Sequence, residues 1–137
     1  MREIPVTLLL LCFSFSPYCQ GNTTPNSIEG AKLYHQYCMS CHQADGGGVP
    51  QMTPPLVSTN YVTGDKKRLI TILLNGLNEP IVINDEVYYN PMASFGYLTD
   101  RQIAAVLTYI RKSFGNQSTS VSTQEVSKIR KQLANKN

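Results

Sequence analysis

Residues 38–42 read Cys38-Met39-Ser40-Cys41-His42, which puts two of the chain's 4 cysteines and one of its 2 histidines within five positions. The surrounding sequence makes this cluster decisive. A helical pattern leads into it. The stretch after it, from Gln43 to Tyr61, is punctuated by Gly46-Gly47-Gly48, Pro50, Pro54-Pro55 and Asn60 and has no helical or strand period. Loops this long without regular structure signal function or disorder. These carry proline and apolar side chains of the kind that are buried, so disorder does not fit. The chain has too little regular structure to build its own core, and something large and apolar is expected to fill its middle.

The chain has 137 residues, a length for one domain. It opens with Met1-Arg2, then the apolar run Val6-Thr7-Leu8-Leu9-Leu10-Leu11-Cys12-Phe13-Ser14-Phe15, then the polar stretch Gln20–Asn26. A charged start and a short apolar core, too short to anchor in a bilayer, are the grammar of a secretory leader. The expected division is a signal peptide at 1–21, a linker at 22–26, a folded domain at 27–116, and a linker with a short amphipathic helix at 117–137. Cys12 leaves with the leader. Cys19 sits at its boundary and would matter only as the lipidated first residue of a lipoprotein, against which bulky Tyr18 and Pro17 argue. The exported chain is then periplasmic, and associated with a membrane only if Cys19 carries lipid. A formal net charge of +3, no Trp and no aromatic–basic repeat leave nucleic-acid binding without support.

Helical spacing predicts a first helix over 27–38, with Asn26 and Glu29 as a capping box and Ile28, Ala31, Tyr34 and, less strictly, Tyr37 and Cys38 on its apolar face. A second fits 65–75, capped by Asp65 and ended by Gly76. Ile81–Ile83 and Val87–Tyr89 flank Asn84-Asp85-Glu86 as a short hairpin. A third helix runs from the Thr99/Gln102 capping box to about Phe114. Val126, Ile129 and Leu133 share one face of a segment at 124–134. The triple glycine is not a phosphate loop, because no strand precedes it and no Lys-Ser/Thr comes after it.

Three chemistries compete for Cys38, Cys41 and His42. A redox-active disulfide needs a preceding strand and a surrounding sheet, and here a helix precedes and no sheet comes after. A closed zinc site needs four ligands, and the one other histidine, His35, is crowded against Cys38 with no second cysteine pair to help. Cys-x-x-Cys-His is also the attachment sequence for a c-type haem. A turn at a helix end would bring both thiols to one edge of the porphyrin and aim His42 at the iron. Haem also supplies the missing apolar core. For the other face of the iron, Met39 lies inside the attachment loop and Met52 comes only ten residues after His42, whereas Met92 lies fifty residues on, in a Pro-Met loop before the third helix. Met92 is the expected second ligand.

The order EGAKLYHQYCMSCH, GGGVPQMTPPL, GDKKRLITILLNGL, YYNPMASFGYLTDRQIAAVLTYIRKSFGN resembles bacterial class I cytochromes c, especially the small haem domains found with periplasmic dehydrogenases and oxidases. The resemblance covers about residues 27–116. It implies an all-α cytochrome c fold: three to four short helices and long loops around one covalent haem c with its iron, and room for a small hairpin. It implies that Gly30 and Tyr34 pack against the helix that holds Tyr109, that the Pro55 carbonyl accepts the Nδ1–H of His42, and that Leu56 touches the ring. Ser94 departs from relatives that often have proline there, which bears on loop stiffness. Cys38, Cys41, His42, Pro55 and Met92 are thus the expected cofactor-binding residues, with His42 and Met92 on the iron. The expected function is single-electron transfer, without catalysis of its own, between a dehydrogenase donor and an oxidase or other acceptor. A haem sensor or enzyme with a labile sixth ligand, and a fixed haem subunit of a larger oxidoreductase, are the alternatives.

Overall fold

The computed structural model describes residues 27–135. The expected leader, Cys12, Cys19 and the cap residue Asn26 lie outside the described residues. Helix α1 (Ser27–Tyr37) buries Gly30, Leu33 and Tyr34. Its buried face is therefore rotated from the expected stripe, and Ile28 is 63% exposed. The cause is Gly30. A Cβ there would collide with the backbone oxygen of Ala105 and lie 2.7 Å from the Tyr109 Cβ. With only hydrogen at Gly30, helix α5 (Asp100–Lys112) crosses α1 at near backbone contact. Tyr34, Tyr109 and Phe114 close around the crossing, with ring centroids 5.1–5.8 Å apart, and Arg101 pairs with Glu29 at 2.8 Å.

Helix α2 (Met39–His42) is a single turn that continues from α1 through Cys38. A second single turn, α3 (Asn60–Thr63), starts where the Thr59 hydroxyl accepts the Val62 N–H. Neither was legible in the sequence, because four residues are too few to show a period. Helix α4 (Lys66–Asn75) begins with the Asp65 carboxylate accepting the Lys67 and Arg68 N–H groups, ends at Gly76, and buries Leu69, Ile70, Leu73 and Leu74. Strands β1 (Ile81–Ile83) and β2 (Glu86–Tyr88) pair antiparallel with Ile81 opposite Tyr88 and Ile83 opposite Glu86. The second strand starts one residue earlier than expected. Asn84 and Asp85 both take positive φ, so the turn holds just these two residues and Glu86 is already paired. Helix α5 has its capping box at Thr99 and Gln102 and stops at Lys112.

Helix α6 (Thr123–Ala134) opens on a second capping box, Ser122 with Glu125, and buries Val126 and Ile129. It belongs to the same core as α1, α4 and α5. The chain leading into it is tied down: Val121 exchanges hydrogen bonds with the Thr108 hydroxyl, and Arg111 donates to the Thr119 carbonyl. The buried Arg111 guanidinium also donates to the carbonyls of Val62 and Gly64 at the end of α3. No helix among the described residues is long and apolar enough to cross a membrane.

Candidate functional site

The site grows from the junction of α1 and α2. The Cys38 and His42 N–H groups donate to Tyr34 O and Cys38 O, both at 2.9 Å, so the helical path carries through the cluster. Cys38 is buried and Cys41 exposed, and neither is in a disulfide. Burial, with the neighbouring Cys41, pushes the Cys38 thiol up to about 11.

His42 is 9% exposed. Burial lowers its pKa, and the Pro54 carbonyl opposes that only in part, so the ring is neutral at pH 7. Its Nδ1 lies 3.0 Å from the Pro54 oxygen. That bond places the proton on Nδ1 and leaves the Nε2 lone pair free for a metal. The carbonyl was expected from Pro55, and the structure shows it to be that of Pro54. Val49 and Thr53 exchange both backbone bonds, at 2.8 and 2.9 Å, so Thr53 faces Val49. In extended chain the next carbonyl, that of Pro54, points the other way, toward His42. Pro55 still lines the central cavity.

This cavity, of about 280 Å³, lies between α1, α4, the hairpin and the loops that join them. Cys38, Cys41 and His42 line it, as do Leu56, Leu69, Leu73, Phe95 and Met92. None of its lining residues carries a formal charge at neutral pH. Met92 is held by two backbone bonds to Leu77, 2.7 and 2.9 Å. Of the three methionines weighed from the sequence, Met92 alone lines the cavity. Met52 is 51% exposed, and Met39 packs against the core from outside it. The sequence reading missed further walls: Thr59 and Val62 of the α3 turn, and Ile81, Ile83 and Tyr88 of the hairpin. Period-two alternation puts Ile81 and Ile83 on one face of the strand and Val82 on the other, but all three are apolar, so only the structure shows that the isoleucines turn inward and Val82 is 59% exposed.

The donor set fits a haem. Protein interiors pack densely and leave few voids larger than water, so an uncharged cavity of this size is a berth for an apolar group. Two thiols, an imidazole with a free Nε2 and a thioether face it. No cluster of three His, Cys, Asp or Glu side chains suited to a bare metal ion occurs among the described residues.

A sequence model of the family described as Cytochrome c matches residues 27–114. The chain belongs to the cytochrome c family. A cytochrome c-552 of Thermus thermophilus is 36% identical over 121 residues, covering 80% of each chain. The fructose dehydrogenase cytochrome subunit of Gluconobacter japonicus is 33% identical over 115 residues, 80% of this chain and 24% of that subunit. The gluconate 2-dehydrogenase cytochrome c subunit of Pantoea cypripedii is 33% identical over 110 residues, 77% of this chain and 25% of that subunit. As a cytochrome c, the protein carries covalently bound haem c with iron, and it is an electron carrier that is not itself catalytic. The chain spans about a quarter of the dehydrogenase subunits it matches.

Proposed function

We propose that Cys38 and Cys41 hold the haem through thioether bonds, that His42 Nε2 and Met92 Sδ bind the iron from its two faces, and that the protein is an exported carrier passing single electrons from a dehydrogenase to an oxidase or other acceptor. The observation that carries the reading is that Met92 is the one of the three methionines sharing an uncharged cavity with His42 and both thiols. The haem iron supplies one-electron redox chemistry. The chain's part is to fix both ligands and exclude water. The Pro54 carbonyl holds the His42 ring in one tautomer and orientation, and the Leu77 backbone pair fixes Met92. A soft thioether favours the ferrous state, as does an apolar lining that disfavours added positive charge. His42 and Met92 would hold the iron together, and a bound haem ligated by both would supply electron transfer and leave no position for oxygen chemistry, which separates this reading from a haem sensor or enzyme. Support for a dehydrogenase donor comes from the relatives that are cytochrome subunits of fructose and gluconate dehydrogenases. Support for export is the leader pattern of residues 1–21. Recovery of a mature chain that begins at Asn22 in the periplasmic fraction would establish it.

The ligand set is tested by substitution. Met92→Ala should abolish the long-wavelength ferric band of a sulfur–iron bond, lower the potential and open the iron to carbon monoxide. Met52→Leu should change none of the three. The reverse pattern would move the ligand to Met52. A parent protein that already binds carbon monoxide readily would make the iron site open and the carrier a sensor or enzyme.

A further inference from the structure

Past the end of α5 the chain turns back through Phe114 and Gly115, both at positive φ, and brings Asn116 against the helix it has just left. The Asn116 side chain is buried, and both ends of its amide are engaged. Its Nδ2 donates to the Ile110 and Leu56 carbonyls, both at 2.9 Å, and its Oδ1 accepts the Ser58 N–H at 2.7 Å. The first bond closes the helix end. The other two reach 60 and 58 residues back along the chain, into the loop between Pro54 and α3. Ser58 stands there at φ +52°, a costly conformation for a residue with a side chain. Leu56 and the nearby Pro54, Pro55 and Thr59 line the cavity, whereas Asn116 does not. Pro54 and Pro55 have no N–H, so no backbone donor of their own can fix the pair, and its flanks must do so. One flank is the Val49–Thr53 bridge. The other is Leu56, whose N–H donates to Gly46 O at 2.7 Å and whose carbonyl takes the Asn116 amide. Proline φ is locked near about −65°, so a shift at Leu56 passes to the Pro54 carbonyl with little slack.

We infer that Asn116 is a positioning residue for His42: by fixing Leu56 and Ser58 it holds the Pro54 carbonyl on His42 Nδ1, and so sets how strongly Nε2 donates to the iron. The inference rests on the reading of His42 as an iron ligand, and it gives a residue outside the cavity a part in setting the potential. A carbonyl on the Nδ1–H raises the basicity of the imidazole, and a more basic ligand favours the ferric state. Loosening that bond should therefore raise the potential. The side chain is specific to this task. Aspartate lacks the two donors, and leucine leaves the Ser58 N–H and the Leu56 carbonyl without their partner. Arg111 holds the end of α3 separately, through the Val62 and Gly64 carbonyls. Loss of the Asn116 amide thus frees the loop at 54–58 without releasing α3.

The test compares Asn116→Leu and Asn116→Ala with Ile103→Val, a change at a fully buried α5 position that does not line the cavity. Three quantities are measured on each holoprotein: the melting temperature, the midpoint potential, and the exchange of the His42 Nδ1 proton with solvent, followed by proton NMR of the ferrous form. Both Asn116 variants should keep the sulfur–iron band and show a raised potential. Their Nδ1 proton should exchange about tenfold faster than in the parent, the equivalent of one hydrogen bond lost. The leucine variant should show the larger change, because alanine leaves room for a bridging water. Ile103→Val should lower the melting temperature and leave the other two quantities as in the parent. Should Asn116→Leu fail to take up haem, Asn116→Ala carries the comparison by itself. Asn116 variants that melt lower yet keep the parent's potential and exchange rate overturn the inference and make the residue a helix stop only. A potential that falls, or one that Ile103→Val moves as far, overturns it as well. A parent whose ferrous spectrum shows no iron-bound His42 ring overturns the reading of His42 and this role with it. A parent with that ring bound and Asn116 variants that leave its proton unmoved overturns this role alone.

Discussion

His42 and Met92 stand on two walls of one cavity, and the walls are assembled differently. The His42 wall is local. Tyr34, Cys38, Gly48 and Pro54 supply its bonds: the Cys38 N–H to Tyr34 O, the Gly48 N–H to His42 O at 3.1 Å, His42 to Pro54 O, and the Tyr34 hydroxyl to Gln43 O. Burial raises the Tyr34 phenol well above the usual tyrosine range, so it remains a donor. All of this lies within 21 consecutive residues, 34–54. The Met92 wall draws on distant chain. Met92 pairs with Leu77, the Phe95 N–H donates to Leu73 O at 2.9 Å, and the Ser94 hydroxyl donates to Leu74 O. Arg130 of α6 then clamps the end of that loop, donating to Gly96 O at 2.7 Å, Leu98 O at 2.8 Å and the Asp100 carboxylate at 2.6 Å. Local bonds form with little loop-closure entropy, whereas distant ones require the whole domain to be in place. The Met92 wall should therefore be the first to loosen.

Gly48→Val should have the largest effect, because it strikes the local wall at its tightest point. Gly48 has φ +70°, and a Cβ there would crowd the Thr53 and Pro54 carbonyls, 2.7 Å from the Pro54 oxygen. Backbone strain and overpacking together should cost on the order of 3 kcal/mol. Thermal unfolding of the holoprotein should show it, along with a changed potential as His42 loses its acceptor. A variant that melts like the parent would mean that this loop does not set the His42 wall.

Arg130→Ala should cost somewhat less, about 2 kcal/mol for charge-assisted bonds lost to a partly buried carboxylate and two carbonyls. The comparison sharpens if the long-wavelength ferric band disappears at milder heat or alkali than in the parent while the haem stays attached. Loss of the His42-side bonds at the same midpoint would show that the two walls move together.

The smallest effect belongs to the ion pair that links α4 to α6, Lys66 with Glu125 at 3.0 Å. Burial by itself would raise the Glu125 carboxyl, but the Ser122 N–H and the Lys66 ammonium outweigh it and hold the group below its ordinary value. A depressed carboxyl stabilises the fold above its unfolded pKa, and that stability is lost as pH falls through the folded value. The stability gap between the parent and Glu125→Gln should be under about 1 kcal/mol at pH 7 for a half-exposed pair. It should narrow as the pH falls through the depressed folded value of this carboxyl. Denaturant titrations of both proteins at pH 7 and pH 3 measure it.

Much of the site could be read from neighbours in sequence. Cys38, Cys41 and His42 announce their chemistry by spacing, and the Thr99/Gln102 box and Asp65 cap mark helix starts that the structure keeps. Reading failed where a property depends on facing rather than spacing. Ile28 fits a helical stripe and yet is exposed, because the face is set by what Gly30 admits. The carbonyl that meets His42 is one residue away from the expected one, because the Val49–Thr53 bridge sets which carbonyl turns inward.

Sequence alone determined the attachment motif, the order and ends of the longer helices, and the uncharged composition of the stretches that frame the cavity. These are properties of adjacent residues, and short-range sterics and hydrogen bonding are enough to express them. Only the tertiary structure decided that Pro54 supplies the carbonyl, that Ile81, Ile83 and Tyr88 of the hairpin wall the cavity, and that α6 reaches back to clamp the loop after Met92. Each of those is a contact between segments distant along the chain or between faces of a loop. Its geometry exists only after the helices have packed and fixed where every loop must return.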